Sequence, residues 1–323
     1  MKIVFSIPFC LFLFLGNPLG GAQETFSFQN QFTPGEQLYL TLQTEMKGVN
    51  RTGEEEYPVL RTLDAVMLFK THAVVDGMAS VDKYLVDIAA TDPDNRFPVI
   101  TMKKLMGSDL IASPTGFDPV QLSPYVISSM RMDPQGRIHA LERSGTASPL
   151  EKAVQSTSER QPWLVFPSEP LVLGATWTET LQVPLPVSSK PVLTDVVYTL
   201  LRVWEENGEP MAQISYTQKI SAENTELNSS RGNQNVHLKL QIKYNHYSIS
   251  SEGTLDFNRA KGYVTVFRSV SEMHLDMDTQ AGLSDVNFPS HTEMKLTSKT
   301  AGTISPQIPE RLLNKEKAND ETK

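Results

Sequence analysis

Cysteine is almost absent from this chain: its 323 residues contain one, Cys10, inside the apolar N-terminal run Ile3 to Leu15. Without a second thiol there is no internal disulfide and no multi-thiolate metal centre, and loss of the N-terminal run would remove the last cysteine nucleophile. Basic residues are in deficit, 29 Lys plus Arg against 37 Asp plus Glu, for a formal charge of −8. That balance argues against nucleic acid or an anionic membrane surface as the main partner, since either needs a basic face. Long apolar stretches are missing beyond the N-terminus, and the N-terminal one falls short of the ~20 residues that cross a bilayer, so no transmembrane segment is expected in the mature chain. The phosphate-cradling patterns Gly-x-Gly-x-x-Gly and Gly-x-x-x-x-Gly-Lys do not occur, nor does the Gly-x-Ser-x-Gly of serine hydrolases. No cofactor is predicted.

Lys2, the short apolar run, and small residues at Gly20 and Ala22 ahead of the polar Gln23 form the pattern of a cleavable secretory signal over residues 1–22. The chain is therefore expected to be exported, to the periplasm or the extracellular space. Ile7-Pro8-Phe9 before Cys10 departs from the small residues that precede a lipidated cysteine.

Most of the chain beyond Gln23 alternates apolar and polar residues at period two, the pattern of half-buried antiparallel strands. Leu38 to Leu42, Ala65 to Phe69, Ser80 to Val86, Val196 to Leu200, Ala212 to Tyr216 and Val236 to Ile242 show it most clearly. Asp76-Gly77, Asn207-Gly208 and Lys261-Gly262 stand between such runs, and Asp-Gly and Asn-Gly supply the positive φ of tight hairpins. Helical signal is confined to Pro149 to Ser158, after Ser148 as cap. The predicted organisation is all-β. A first β-rich half over 23–145 and a second over 171–300 flank a connecting segment with a short helix at 146–170, and a disordered charged tail covers 301–323. Turn glycines recur in the same order in both halves, Gly35, Gly77 and Gly136 against Gly174, Gly208 and Gly262, with Trp177 a core anchor just after Gly174. This predicts an internal duplication, as two successive, strongly curved antiparallel sheets or incomplete barrels.

The segment Phe166-Pro167-Ser168-Glu169-Pro170-Leu171-Val172-Leu173-Gly174-Ala175-Thr176-Trp177, then the Tyr198 strand, then Gly253 to Phe257 leading to Gly262-Tyr263-Val264, resembles an uncharacterised family of exported bacterial β-rich proteins. The resemblance covers residues 125–280. It implies export and a β architecture, and it brings no catalytic residues, because that family has no assigned chemistry.

Among six histidines none forms His-x-x-x-His or His-Glu-x-x-His. The one local cluster is His274, Asp276 and Asp278, which share a strand face opposite Met273, Leu275 and Met277. One imidazole and two carboxylates suit a divalent cation, but side chains ~7 Å apart along an extended strand meet on one ion only if the strand bends. The alternative is the solvent face of an amphipathic strand. Asp92-Pro93-Asp94-Asn95 resembles the start of a calcium loop without its glycine and glutamate, and reads as a turn. Methionines on strand faces (Met67, Met78, Met102, Met106, Met130, Met132, Met211, Met273, Met277) fill a core or line a site for apolar ligands, and Trp163, Trp177 and Trp204 fill a core or line a carbohydrate or lipid site. The reading these residues favour is a non-enzymatic, exported binding or interaction protein of the bacterial envelope, taking an apolar small molecule or another envelope protein as partner. The alternatives are a hydrolase with dispersed carboxylate or metal chemistry, and a structural module.

Overall fold

The computed structural model describes residues 24–91, 100–101, 126–143, 162–183, 192–233, 236–283 and 286–313. All six strands read from the alternation lie within longer strands of it. In chain order these are β1 (Gln37–Thr52), β2 (Glu55–Val75), β3 (Met78–Thr91), β4 (Ile100–Thr101), β5 (Val126–Met132), β6 (Ile138–Arg143), β7 (Thr176–Val183), β8 (Val192–Glu206), β9 (Glu209–Asn233), β10 (Val236–Asn258), β11 (Tyr263–Leu283) and β12 (Val286–Ser305).

These strands form one sheet in the order β6-β5-β3-β2-β1-β12-β11-β10-β9-β8-β7, with the short β4 beside β3. Every ladder is antiparallel. The division into two successive sheets is corrected by the centre of this order: β1 pairs β12 from Tyr39 with Ser305 to Thr52 with Thr292. The two halves are thus joined edge to edge. Period-two patterning decides which face a residue takes and leaves partner choice open, so the sequence could not distinguish two sheets from one. Among the described residues the sheet does not close, and β6 and β7 are its edges. The expected tail also differs from its boundary at 301. β12 runs to Ser305, and Leu312 in the helical turn after it is buried against Tyr39, Val66, Leu68, Tyr84 and Val86, while the Arg311 guanidinium pairs with Asp87 at 2.7 Å. The helix expected at Pro149 to Ser158 and the turn at Asp92 to Asn95 lie outside the described residues.

The hairpin signals act locally as their chemistry dictates. Asp76 and Gly77 have φ of 52° and 76°, Asn207 and Gly208 of 53° and 80°, the doubly positive pairs that match the right-handed twist of the flanking strands. Gly35, Gly136, Gly174 and Gly262 also have φ between 70° and 83°.

One face of the sheet, here the core face, carries Leu38, Leu40, Met67, Phe69, Leu200, Ile214, Phe257, Phe267 and Ile304 in a single buried cluster. Two segments cover that part of it. Residues 24–32 and 162–171 run together, with Phe26 and Leu171 exchanging backbone hydrogen bonds of 2.7 and 2.8 Å. From these segments Phe28 stacks on Phe166 at 5.2 Å, Phe166 meets Phe257 edge-on at 4.9 Å, and Trp163 meets Phe69 edge-on at 5.6 Å. Trp177 stacks on Tyr198 at 5.4 Å and donates its indole N–H to the Val165 carbonyl at 2.7 Å, tying β7 to the covering segment.

Candidate functional site

Cross-strand registers resolve the core face into rows perpendicular to the strands, and the rows change character along the strands. Under the covering segments the row Ala65, Leu42, Gly302, Phe267, Leu255, Ile214 and Leu200 is apolar. The next row reads Leu63, Thr44, Thr300, Ser269, Gly253, Tyr216, Tyr198 and Trp177. The one after it reads Arg61, Met46, Ser298, Ser271, Ser251, Gln218, Val196 and Glu179. Beyond this hydroxyl belt the face turns apolar again. Leu296, Met273, Ile249 and Ile220 form one row, Met294, Leu275, Tyr247 and Ala222 another, and Met277 and Tyr244 lie beyond.

In the belt, hydroxyls bond to each other: Thr44 Oγ1 and Thr300 Oγ1 are 3.0 Å apart, and Ser251 donates to Ser271 at 2.8 Å. The Tyr216 ring lies over Gly253, where a Cβ would come within 2.7 Å of it, and the Phe267 ring lies over Gly302 in the same way. Glycines inside strands here give aromatic rings the space to lie flat on the backbone. Burial raises the Tyr216 phenol above its ordinary pKa, so the ring carries its proton and stays neutral. A trough of about 930 Å³ crosses the strands at this row, but twelve of its seventeen lining residues, Glu45, Asp64, Glu252, Arg268 and Lys299 among them, are the flanking positions that face away from the core side.

The second apolar zone differs from the first in what lies on it. Ile220, Tyr244, Tyr247 and Val183 are buried, and Ile242, Ile249, Met273, Leu275 and Met277 are half-buried against them. Every member of this cluster belongs to a strand, and among the described residues no covering segment contributes to it. The methionines divide accordingly: Met67, Met130 and Met132 fill the covered core, while Met273 and Met277 pack against the second cluster.

The predicted His274, Asp276 and Asp278 do share one face of β11, the face opposite this apolar zone, and they do not converge. His274 Nε2 lies 3.3 Å from Glu293 of β12, and its ring lies 5.0 Å from that of His246. Asp276 and Asp278 instead receive the side-chain amide of Asn245 at 3.0 and 2.9 Å, and His291 Nδ1 approaches Asp278 at 2.9 Å and Asp276 at 3.9 Å. Asn245 reaches both carboxylates because β10 is irregular there, its register with β11 shifting between Tyr244 and His246. Among the described residues no group of three or more His, Cys, Asp or Glu side chains is placed to hold a metal ion. A polar cleft of about 350 Å³ adjoins the cluster, lined by Lys243, Asp278, Ser290 and His291 among others.

The Asn245 amide, then His291, holds the Asp278 carboxyl below its ordinary value, and the hydrogen bond to Asp278 raises His291 above its own. A raised imidazole contributes stability that is complete below its unfolded pKa and lost as pH rises through the folded one. A depressed carboxyl contributes stability that is complete above its unfolded pKa and lost as pH falls through the folded one. The pair therefore stabilises in the mildly acidic window between the two unfolded values, about 4 to 6.5. In thermal melts, His291→Ala is expected to lower the melting temperature slightly at pH 5.5 and to leave it unchanged at pH 8.5. The effect is small because both side chains are half exposed or more, at 53% and 50%, and solvent screens them.

No family profile and no curated protein matches the chain. Among solved structures it is similar to lipovitellin, from work on lipid–protein interactions in that protein, over 86% of this chain, with 13% identity and a TM-score of 0.33. The match spans only 26% of the lipovitellin chain. It is also similar to OmpF of Salmonella typhi, solved with daunomycin, over 86% of this chain and all of that one, with 7% identity and a TM-score of 0.20. OmpT, an outer membrane protein of Vibrio cholerae, gives the same coverages with 8% identity and a TM-score of 0.21. At such scores the likeness carries no argument about fold or function.

Proposed function

We propose that this is an exported binding protein of the bacterial envelope, holding a molecule with an apolar chain on the second apolar zone of its core face, which no described segment outside the sheet covers. The observation that carries this reading is the contrast along a single face. One apolar zone is sealed by the chain's own aromatic segments, and the other, built by Ile249, Met273, Leu275 and Tyr247, is sealed by none of the described residues. Ile249, Met273 and Leu275 are half-buried and so keep apolar area that a bound apolar chain would cover. Methionine and tyrosine suit it, the one adapting its shape and the other offering broad contact area. Export rests on the Lys2 to Ala22 pattern.

The test is native mass spectrometry of the chain purified from the envelope of an expressing bacterium, with extraction of whatever travels with it. A lipid or similar molecule at near-unit stoichiometry is expected. Leu275→Glu, which buries a carboxylate in the zone, is expected to lower its occupancy at least tenfold, whereas Glu272→Gln on the opposite face leaves it unchanged. A bare protein mass from the unaltered chain, under conditions that preserve non-covalent lipid complexes, would overturn the reading.

A further inference from the structure

We infer that the ligand is an amphiphile with an uncharged, hydrogen-bonding head group, such as an acylglycerol or a long-chain alcohol or ester, and that the hydroxyl belt receives that head. The inference rests on the binding reading above and adds the chemical class of what is bound.

Polar side chains on a core face are costly unless they are hydrogen-bonded. The belt satisfies part of that requirement internally, through the Thr44–Thr300 and Ser251–Ser271 pairs. Each hydroxyl has one proton and two lone pairs, so when one donates to the other, a proton and several lone pairs remain in each pair. Thr44, Ser251, Ser271, Ser298 and Thr300 are all half-buried, and that remaining capacity faces the same side as the apolar rows.

Charge is absent where the hydroxyls are. Between β1 and β8 the two rows contain no Asp, Glu, Lys, Arg or His. Arg61 and Glu179 stand only at the far ends of one row, three and four strands away from Ser271. A carboxylate, phosphate or ammonium brought to the middle of the belt would lose water without gaining a counter-charge. A hydroxyl or ester would exchange water for hydroxyls of matching strength. Position fixes the direction of the tail. On one side of the belt the apolar row lies under Phe28, Phe166 and Trp163; on the other, Leu296, Met273, Ile249 and Ile220 begin the second apolar zone, to which among the described residues only strands contribute. Head at the belt, the chain runs from Ile249 toward Ile242, roughly 23 Å of strand.

Three amphiphiles with the same chain separate the head from the tail: 1-monopalmitoylglycerol, palmitate and hexadecyltrimethylammonium, each titrated below its micellar concentration against the full chain. Monopalmitoylglycerol is expected to bind at least tenfold more tightly than either charged ligand. The double variant Ser251→Ala, Ser271→Ala is expected to weaken it about tenfold while leaving the charged ligands unchanged, as fits the loss of one or two neutral hydrogen bonds. Thr44→Val with Thr300→Val gives a second, independent pair should the first fail to fold. If all three ligands bind equally and neither double variant discriminates among them, the head-group inference falls and the binding reading stands. If none of the three binds, both fall.

Discussion

Trp163→Ala is expected to lower the unfolding free energy by roughly 3–5 kcal/mol, the range for emptying a buried large aromatic position. Trp163 is 1% exposed, lies 5.3 Å from the Phe32 ring and meets Phe69 of β2 edge-on. It has a second effect that a strand residue would lack. Trp163 belongs to the segment that seals the core face, so its loss weakens the seal over Phe69 and opens a cavity at the same time. Urea unfolding would show a lower midpoint. The losses in Phe69→Ala and Trp163→Ala should also fail to add in the double variant, because the two rings share one contact. A loss under about 1 kcal/mol would mean that the 162–171 segment does not hold the core as described.

The strands and the two doubly positive hairpins are legible in the sequence because each is decided within a few residues. Alternation places Leu38, Leu40 and Leu42 on one face, and Asp76-Gly77 turns the chain wherever it lies. Partner choice depends on the whole chain, and so the β1 and β12 pairing that makes one sheet is not readable there. The hydroxyl belt leaves only a faint trace. In Phe267-Arg268-Ser269-Val270-Ser271-Glu272-Met273 the core-face positions pass from aromatic through two serines to methionine, and Ile249-Ser250-Ser251-Glu252-Gly253-Thr254-Leu255 makes a similar passage in reverse, through Ser251 and Gly253. One such interruption looks like a weak strand. Only alignment of Ser251, Ser271 and Ser298 across neighbouring strands shows that the interruptions are one feature. Spacing correctly places His274, Asp276 and Asp278 on one face of a strand, but their partners Asn245, His291 and Glu293 come from neighbouring strands that spacing within β11 cannot name.

Gly136→Ala is expected to cost about 3 kcal/mol or more, against roughly 1–2 kcal/mol for Gly35→Ala, and the difference isolates a tertiary clamp from the shared conformational cost. Both glycines are left-handed, with φ of 82° and 83°, so a Cβ at either costs roughly 1–2 kcal/mol. At Gly35 a Cβ would meet nothing within 4 Å; at Gly136 it would fall 2.1 Å from the Leu164 carbonyl oxygen and 2.8 Å from Asn30 Nδ2. Those two groups are bonded to each other. Asn30 Nδ2 donates to the Leu164 carbonyl at 2.8 Å, Leu164 N–H donates back to Asn30 Oδ1 at 3.3 Å, and Phe166 N–H donates to the Gln135 carbonyl at 2.9 Å. A methyl group at 136 has to push the covering segment off its seat, and each buried hydrogen bond broken adds about 1–3 kcal/mol. Asn30→Ala removes the two side-chain bonds to Leu164, and a third from Asn30 Nδ2 to the Pro134 carbonyl at 3.2 Å, without the added methyl, so urea midpoints of the two single variants and their double should be strongly non-additive. Equal losses for Gly35→Ala and Gly136→Ala would show that the turn at 133–137 does not carry the covering segment.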